Sequence, residues 1–448
     1  MEFKDKKVLV LGLSKSGISA AKHLAKIGAK VYLTESRTQN FDDIQKIANL
    51  KQYGIQVEMG GHSSDFVEGA FIAVTSPGIP PHSEIMQILN DKNIPVISEI
   101  ELAYLTCKTP FIAITGTNGK TTTTALTDFI FKTKYKTEPC GNFGKPPCDL
   151  TEENLDYFIC ECSSFQLEYS PTFKPKVSVW TNFTPDHIDW HNGLDNYFKA
   201  KAKIFKGNQA PEYSVLNAKD AKLKEFGQTL TGKIFWFGED YSENCCFTRG
   251  DSIYFRQDGK EEKIIELKDC PMIGEHNYQN IECSIVSAKL SGIENNSIKR
   301  AIMEFRVPEH RLEKVTKIDN TVYYNDSKAT NPEASLVAIR SFKPEQNVVL
   351  IAGGRDKNTD LTEFCEAVNK HIKTVILIGE ATQRFEENLL KNGFRNIIKE
   401  STMQRAIDKA SELKPDVVLL SPACASFDMF KGYEERGKVF KEYVISKL

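Results

Sequence analysis

Residues 115–121 of this chain, TGTNGKT, have the types and spacing of a phosphate-binding loop. An apolar, β-branched run precedes the loop and apolar residues recur at helical spacing after it, so the loop joins a strand to a helix. At such a junction the first helical N–H groups are unpaired, and Gly116 and Gly119 would let an anion approach the backbone. Lys120 adds a positive charge and Thr121 a hydroxyl group suited to Mg²⁺. We therefore expect the loop to hold the β and γ phosphates of a nucleoside triphosphate.

This loop is a shortened form of the full phosphate-loop pattern, because Ile114 stands where that pattern has its first glycine. A glycine-rich turn that binds nothing would explain the two glycines. It would not explain a Lys-Thr pair in register with them, so we favour phosphate binding.

A carboxylate and two histidines in the middle of the chain are further candidates for metal chemistry. Glu161 ends the strand-like run DYFICE, and Mg²⁺ prefers oxygen ligands of this kind, although a glutamate at a strand end is also common on a surface. His187 and His191 are four residues apart in TPDHIDWH, a spacing that suits zinc if both lie on a helix. Because Pro185 predicts a loop here and no thiolate pair is near, we expect no zinc site.

Three lysines alternate in KAKAKIF, residues 199–205. Charges at alternate positions are typical of a solvated helix face. Composition alone therefore assigns no chemistry to Lys199, Lys201 or Lys203.

Length and charge restrict the class of protein. A chain of 448 residues is long enough for about three domains. With 58 basic and 60 acidic residues it lacks the positive excess of a nucleic-acid-binding surface. We expect a cytoplasmic protein without membrane insertion, because no segment resembles a signal peptide or a membrane span. The eleven cysteines form no C-x-x-C pair, which is typical of reduced thiols in a cytosolic protein. We expect a monomer, because the sequence carries no signal of an interface.

Strand-like and helix-like segments alternate through most of the chain, which predicts an α/β fold of three domains in series. Residues 1–98 are expected to be Rossmann-like, and residues 99–307 to be a central P-loop ATPase-like α/β domain. Short strands between residues 207 and 272 predict a small β excursion in the central domain. Residues 308–448 are expected to form a C-terminal Rossmann-like α/β domain.

The first domain opens with a βαβ unit whose turn, GLSKSG, resembles a dinucleotide fingerprint. Ser14 replaces the middle glycine, which disfavours NAD, while another diphosphate such as that of a UDP-sugar could still sit at the helix terminus. Glu35 follows the second strand, where dinucleotide-binding proteins place a ribose ligand. The turn from Ser76 to Gly78 follows another strand at the same edge of the predicted sheet.

Eight motifs occur in a fixed order: TGTNGKTTT, ECSSFQLE, NFTPDHIDWH, GEHNYQN, EHRLE, NDSKATNP, AGGRDKN and SPACASFDMF. Their series resembles that of the Mur ligases, which build peptidoglycan precursors, from the first strand to the final helix. GLSKSG, NDSKATNP and SPACAS resemble the members that add D-glutamate to UDP-N-acetylmuramoyl-L-alanine. The resemblance implies an ATP-dependent ligase that forms a peptide bond through an acyl phosphate. Another Mur-type ligase of different amino-acid specificity is the alternative.

The resemblance also assigns residues to ATP and the metal. Lys120, Glu161, His187 and Lys201 would form the catalytic centre, with Lys201 carrying a CO₂-derived carbamate. Two Mg²⁺ sites would draw on Thr121, Glu161, His187 and the carbamate, with Lys199 or Lys203 as the competitor if the register is off by two. The residues that would bind ATP are Gly116, Thr117, Asn118, Gly119, Lys120, Thr121, Thr122, Asn277, Asn280, Arg311 and Asp326.

Two further sets follow from the same resemblance. The residues that would bind the UDP-sugar are Leu13, Ser14, Lys15, Ser16, Glu35, Ser36, Arg37, Ser76, Gly78 and Asn142. Those that would bind D-glutamate are Thr330, Lys357, Ser426 and Phe427. Lys328 could add charge, and RDK in place of the expected DGK leaves Arg355 as a second candidate cation.

Two rival functions are weaker. A dehydrogenase would leave the phosphate loop unexplained, and a non-catalytic nucleotide switch would need neither the third domain nor ECSSFQLE. A folate-polyglutamate-type ligase would lack the first βαβ domain.

Overall fold

A computed structural model describes residues 1–205, 210–307, 309–356 and 359–448. They form two compact units: Met1–Pro271 with Gln279–Phe305, and Met272–Tyr278 with Arg306–Leu448. The first unit contains two sheets and the second unit contains one. Among the described residues, no helix is both long and apolar enough to cross a membrane.

The first sheet has five parallel strands in the order β3-β2-β1-β4-β5. Its strands are β1 (Lys7–Leu11), β2 (Lys30–Glu35), β3 (Gln56–Met59), β4 (Ile72–Thr75) and β5 (Val96–Ser98). Its helices are α1 (Lys15–Lys26), α2 (Phe41–Lys51), α3 (Ser64–Val67), α4 (Glu84–Asp91) and α5 (Glu99–Thr106). Val8 and Val10 of β1 pack into one hydrophobic cluster and Leu9 and Leu11 into another, because alternate side chains of a strand face opposite sides of the sheet.

A nine-stranded sheet follows in the order β14-β13-β12-β11-β10-β9-β6-β8-β7. Its strands are β6 (Phe111–Thr115), β7 (Thr137–Gly141), β8 (Tyr157–Glu161), β9 (Val177–Trp180), β10 (Tyr213–Asn217), β11 (Lys233–Phe237), β12 (Cys245–Arg249), β13 (Ser252–Gln257) and β14 (Lys260–Glu266). Its helices are α6 (Lys120–Phe131), α7 (Ser164–Glu168), α8 (Ile188–His191), α9 (Leu194–Ala202), α10 (Ala221–Gly227), α11 (Glu275–Leu290) and α12 (Asn295–Glu304). The segment predicted as a β excursion thus extends the central sheet, with β10 and β11 parallel to β9 and an antiparallel hairpin pair, β12 to β14, at the edge.

The prediction of a loop across TPDHIDWH was wrong for its last four residues, which form the short helix α8. Pro185 does not prevent this helix, because it lies three residues before the first helical residue, where its ring blocks no helical hydrogen bond.

The first two sheets are joined by apolar and polar contacts. One cluster of buried side chains runs from Val8 through Leu102 of α5 to Phe111 of β6. Across the same joint Ser98 Oγ lies 2.7 Å from Ser170 Oγ, and Ser19 donates to Asp149 at 2.6 Å. These contacts fix the positions of the first two sheets relative to one another within this unit.

The second unit is built on a six-stranded sheet in the order β15-β16-β20-β17-β18-β19. Its strands are β15 (Glu313–Ile318), β16 (Thr321–Asn325), β17 (Val348–Gly353), β18 (Thr374–Ile378), β19 (Ile397–Lys399) and β20 (Val417–Leu420). Its helices are α13 (Pro332–Ile339), α14 (Thr362–His371), α15 (Thr382–Lys391), α16 (Met403–Glu412) and α17 (Tyr433–Ile445). The strands pair in parallel except β15, which is antiparallel to β16.

Candidate active site

The predicted phosphate loop connects the end of β6 to the start of α6. Gly119 caps the helix with φ +81°, and Gly116 has φ +148°, conformations that residues with a Cβ rarely adopt. A Cβ on Gly116 would overlap Thr181 Oγ1, and one on Gly119 would lie 2.5 Å from Asn280 Oδ1. Lys120 Nζ donates to the carbonyl oxygens of Gly116, at 2.9 Å, and Thr117, at 2.8 Å. The loop is therefore a close-packed turn with its lysine folded across it.

Two residues that the sequence analysis did not assign hold this loop from the adjacent strand β9. Thr181 Oγ1 donates to the carbonyl oxygen of Asn118 at 2.7 Å, and Asn182 Oδ1 accepts from the N–H of Asn118 at 2.8 Å. For Asn182 a signal was present, because it opens the motif NFTPDHIDWH directly after β9, the neighbour of β6 in the sheet.

Glu161 lies at the end of β8 with only 2% of its surface exposed. Its Oε1 accepts from Asn142 Nδ2 at 2.6 Å, and its Oε2 is buried without a hydrogen-bond partner among the described residues. A buried carboxylate oxygen left unpaired is costly, and a cation would satisfy it. Asn142, predicted to contact the UDP-sugar, here contacts Glu161.

The donor set fits Mg²⁺ better than zinc. Glu161 and Thr121 supply oxygen atoms, which Mg²⁺ prefers, and this ion usually keeps several waters. In the described part of the chain, no three His, Cys, Asp or Glu residues are grouped closely enough to bind a metal on their own. A protein site of few ligands suits a magnesium ion that phosphate oxygens also coordinate.

Of the three alternating lysines, Lys201 is the buried one, with 1% of its surface exposed. Its Nζ donates to the carbonyl oxygen of Gly116 at 2.7 Å and lies 3.5 Å from Thr115 Oγ1. Burial, with the positive charge of Lys120 as the second cause, holds the pKa of Lys201 well below its ordinary value. Lys199 is exposed, and Lys203 donates to Glu168. The structure thus places Lys201 against the phosphate loop, with a side chain that favours the neutral amine.

His187 has a left-handed backbone, with φ +51°, immediately before α8. Its Nε2 lies 3.4 Å from Asp186 Oδ2, and its ring centroid lies 4.7 Å from that of Phe165. Partial burial lowers the pKa of His187, and the charges of Lys120 and Lys201 lower it further against the opposing effect of Asp186. These effects favour the neutral form of the His187 imidazole.

His191 is buried and serves a different purpose. Its Nε2 lies 2.8 Å from Ser164 Oγ, and burial lowers its pKa to about 4. Its ring lies 5.3 Å from that of Tyr197, whose hydroxyl is 3.1 Å from Thr117 Oγ1. His191 therefore packs beneath the phosphate loop.

A cleft of about 530 Å³ lies at the carboxyl edge of the first sheet. Seven of the residues predicted to bind the UDP-sugar line it: Ser14, Lys15, Ser16, Glu35, Ser36, Ser76 and Gly78. Ser14 caps α1 by accepting from Gly17 N and lies 2.7 Å from Ser76 Oγ. Thr34 and His62 also line the cleft and were not predicted. Their side chains are 2.8 Å apart at the end of β2.

Three of the residues predicted to bind the UDP-sugar do not line this cleft: Leu13, Arg37 and Asn142, the last of which contacts Glu161. The backbone N–H of Leu13 donates to Glu35 Oε2 at 2.9 Å, so Leu13 shapes the turn from within. The guanidinium of Arg37 pairs with the buried carboxylate of Asp43, with Nη2 to Oδ1 at 2.8 Å. Arg37 therefore supports the start of α2.

Asn277 and Asn280, predicted to contact adenine, both belong to α11. Asn280 Oδ1 accepts from Thr123 Oγ1 of α6 at 3.1 Å, directly behind the phosphate loop. Asn277 Nδ2 donates to the carbonyl oxygen of Ile273 at 2.8 Å.

In the second unit, Asp326 follows β16 and is buried. Its Oδ1 accepts from the N–H of Leu312 at 3.0 Å, and its Oδ2 accepts from Ser421 Oγ at 2.7 Å. Burial raises the pKa of Asp326 to about 7 against the opposing charges of Arg311 and Arg436. Arg311 is therefore close enough for its charge to act on Asp326.

The loops after β16 and β20 carry three of the four residues predicted to bind D-glutamate. Arg436 of α17 is buried between them and donates to the carbonyl oxygens of Ser327, at 2.8 Å, and Cys424, at 3.0 Å. Thr330 follows in the first loop, and the second carries Ser426, which is buried, and Phe427, which is 64% exposed. Arg436 was not predicted and fixes the two loops relative to one another.

The cations predicted for D-glutamate have different environments. Lys357 lies outside the described residues. Arg355 donates to both carboxylate oxygens of Glu380, at 3.2 and 3.3 Å, on the surface. Lys328 Nζ lies 3.7 Å from the ring centroid of Tyr433.

Comparison with known proteins gives matches along the whole chain. Residues 114–288 match the family model of the Mur ligase middle domain, and residues 310–424 that of the Mur ligase glutamate ligase domain. Residues 6–98 match the model of the MurD-like N-terminal domain of Mur ligases.

Two relatives are similar to this chain over almost their whole length. The UDP-N-acetylmuramoylalanine–D-glutamate ligase of Thermoanaerobacter pseudethanolicus is 40% identical over 453 residues, covering 99% of each chain. The enzyme of the same name from Caldicellulosiruptor saccharolyticus is 38% identical over 452 residues, again covering 99% of each chain.

Solved structures share the fold at low sequence identity. A MurF structure from Acinetobacter baumannii has a TM-score of 0.63 at 15% identity, covering 98% of this chain and 94% of that one. The UDP-N-acetylmuramate-alanine ligase MurC from Thermotoga maritima has a TM-score of 0.60 at 18% identity, covering 99% of this chain and all of that one. Likeness at this identity shows the fold alone.

Proposed function

The chain belongs to the Mur ligase family, and we propose that it joins D-glutamate to UDP-N-acetylmuramoyl-L-alanine while ATP is converted to ADP and phosphate. The observation that carries this proposal is the similarity, over 99% of both chains, to ligases that are named for that activity. The product is a precursor of peptidoglycan, and the reaction takes place in the cytoplasm.

The chemistry requires activation of a carboxylate. The carboxylate of the substrate's alanine attacks the γ-phosphorus of ATP, which releases ADP and leaves an acyl phosphate. The amino group of D-glutamate then attacks the acyl carbon, an amide forms, phosphate leaves and the amine loses a proton. Phosphoryl transfer of this kind depends mainly on positioning and on neutralising charge.

Residues of the phosphate loop supply most of the positioning. The backbone N–H groups of residues 117–121 and the ammonium of Lys120 would hold the β and γ phosphates, since Lys120 already lies across the loop. Asn280 would meet the nucleotide from α11, and Asn277, Arg311 and Asp326 complete the proposed ATP set.

Glu161 and Thr121 would hold Mg²⁺, which when bound neutralises charge on the phosphates and the substrate carboxylate. The buried, unpaired Oε2 of Glu161 supports this assignment. His187, with its lowered pKa, would act at the same centre as a neutral imidazole.

We assign the carbamate to Lys201. A neutral amine can add CO₂ and lose a proton, whereas an ammonium cannot, and the pKa of Lys201 is held well below its ordinary value. The resulting anion would supply oxygen donors for a second Mg²⁺ and would offset the charge of Lys120.

The two substrates would occupy the two sites already described. The UDP group would lie in the cleft of the first sheet, with its diphosphate near Ser14, Lys15 and Ser16 at the start of α1. D-Glutamate would be bound by Thr330, Lys357, Ser426 and Phe427. The domains would run over residues 1–98, 99–307 and 308–448, and the active protein would be a monomer.

The test is ATP-dependent phosphate release with UDP-N-acetylmuramoyl-L-alanine and one amino acid at a time: D-glutamate, L-lysine, diaminopimelate or L-alanine. Turnover with D-glutamate alone is expected. Turnover with a different amino acid would keep the ligase and overturn the D-glutamate assignment. ATP hydrolysis without either substrate would indicate a nucleotide switch and refute the proposed function.

A further inference from the structure

A short turn, residues 141–145, lies between the proposed UDP-sugar cleft and Glu161. The N–H of Gly141 donates to the carbonyl oxygen of Lys145 at 3.0 Å, and the N–H of Asn142 donates to the carbonyl oxygen of Glu161 at 2.9 Å. Gly141 and Gly144 have φ +90° and +83°, and a Cβ on either would overlap a backbone carbonyl. The turn is therefore packed tightly against β7 and β8.

One end of this turn holds the proposed metal ligand. Asn142 Nδ2 donates to Glu161 Oε1 at 2.6 Å, and this contact leaves Oε2 as the carboxylate oxygen without a partner in the described chain. Hydrogen bonds of this kind orient a metal-binding carboxylate, and their loss commonly weakens metal binding about 10- to 100-fold.

The other end of the turn is held by a residue of the cleft. Lys15 Nζ donates to the carbonyl oxygen of Gly144 at 2.8 Å, and Lys15 also lines the cleft where the diphosphate is proposed to bind. An ammonium has three N–H donors, and within the described residues Lys15 uses one of them. The same side chain can therefore bind a phosphate oxygen and Gly144 at once.

We propose that Lys15 is a positioning residue that couples the UDP-sugar cleft to the magnesium site through the turn 141–145. This inference rests on the proposed function. The Lys15 side chain is exposed, and a bound diphosphate would fix it against Gly144. The turn would then hold Asn142, and through it Glu161, in the orientation that binds Mg²⁺. Binding of UDP-sugar and binding of magnesium-nucleotide should consequently strengthen each other.

The experiment measures the Kd of a non-hydrolysable ATP analogue with Mg²⁺ by calorimetry, without and with UDP-N-acetylmuramoyl-L-alanine, in the absence of D-glutamate. The UDP-sugar is added at ten times the Kd measured for each variant, so that weaker binding of this substrate does not affect the comparison. In the wild type we expect the UDP-sugar to tighten nucleotide binding about 5-fold or more. With EDTA in place of Mg²⁺ this ratio should fall to about 1, because the coupling acts on Glu161.

Lys15→Met should reduce the ratio to about 1 with Mg²⁺ present. Lys26→Met is the matched control, because Lys26 also lies on α1. Its Nζ pairs with Glu152 Oε2 at 2.9 Å, and Glu152 lies outside the turn 141–145. It should keep the wild-type ratio. Lys15→Arg, which retains several donors, should keep most of it.

A Lys15→Met protein with the wild-type ratio would overturn the inference, as would a wild type with a ratio of about 1. If the Lys15→Met protein cannot be saturated with UDP-sugar, the same titration is made with Asn142→Ala, which alters the other end of the turn. A wild-type ratio of nucleotide Kd values in Asn142→Ala would refute the coupling. Wild-type phosphate release with D-glutamate is measured in parallel. Turnover without coupling refutes this inference alone, whereas absence of turnover refutes the proposed function.

Discussion

Replacement of Lys201 by methionine separates the proposed carbamate from a purely structural lysine. Methionine has a similar length and no charge, and it fits the buried position that Lys201 occupies, where 1% of the residue is exposed. The matched control is Lys199→Met, a change of the same kind at an exposed position of the same helix.

The expected loss in kcat for Lys201→Met follows from the position of the side chain. Nζ lies 2.7 Å from the carbonyl oxygen of Gly116, so an anionic group on it would lie at the phosphate loop beside Lys120. Removing one side chain that stabilises charge in an active site typically lowers kcat about 10²- to 10³-fold. We expect a loss of this size for Lys201→Met, and less than about 2-fold for Lys199→Met, whose exposed charge is screened.

The thermal stability of Lys201→Met should not fall with its activity. Because burial lowers the pKa of Lys201, the unfolded chain binds a proton at this side chain more tightly than the folded chain does, and the folded state is less stable for it at any pH below the ordinary lysine pKa. This penalty disappears as the pH rises towards the ordinary lysine pKa. In CO₂-depleted buffer, where Lys201 is a free amine, Lys201→Met removes this penalty, so its Tm at pH 7 should equal or exceed that of the wild type.

The assays are phosphate release, thermal unfolding and ¹³C NMR after equilibration with ¹³CO₂. The wild type should show one carbamate signal that Lys201→Met lacks and Lys199→Met keeps, and CO₂-depleted buffer should reduce its activity. Full activity of Lys201→Met, or an undiminished wild type in CO₂-depleted buffer with no carbamate signal, would refute the reasoning.

Three further changes test other parts of the structure. Gly116→Ala should raise the Kd for nucleotide about 10-fold or more in a binding titration, because its Cβ would overlap Thr181 Oγ1 at a left-handed position. Burial raises the pKa of Glu282 to about 8, so the folded state keeps its proton while the unfolded state ionises, and stability falls as the pH rises from about 4.5 to 8. Glu282→Gln should therefore be about 1–3 kcal/mol more stable than the wild type in urea unfolding at pH 8.5, with a smaller difference at pH 6. Arg436→Met should lower the unfolding free energy of the second unit by about 2–4 kcal/mol and raise the KM for D-glutamate, since it leaves the carbonyl oxygens of Ser327 and Cys424 unpaired.

The sequence by itself determined the α/β fold in three segments and the strand-loop-helix form of the phosphate loop. Both depend on local features: alternation of apolar side chains, glycines where the backbone turns left-handed, and a Lys-Thr pair at a helix start. Because these features act over a few residues, they can be read without knowledge of the rest of the chain.

Tertiary structure alone decided which side chains meet. Lys201 contacts Gly116, 85 residues away, while Lys199 and Lys203, with the same charge and similar neighbours in sequence, do not. Arg37 lies outside the cleft for which it was predicted and pairs with Asp43. The physical reason is that the helical and strand periods set which face of an element a residue occupies, whereas burial of that face depends on packing between elements far apart in the chain.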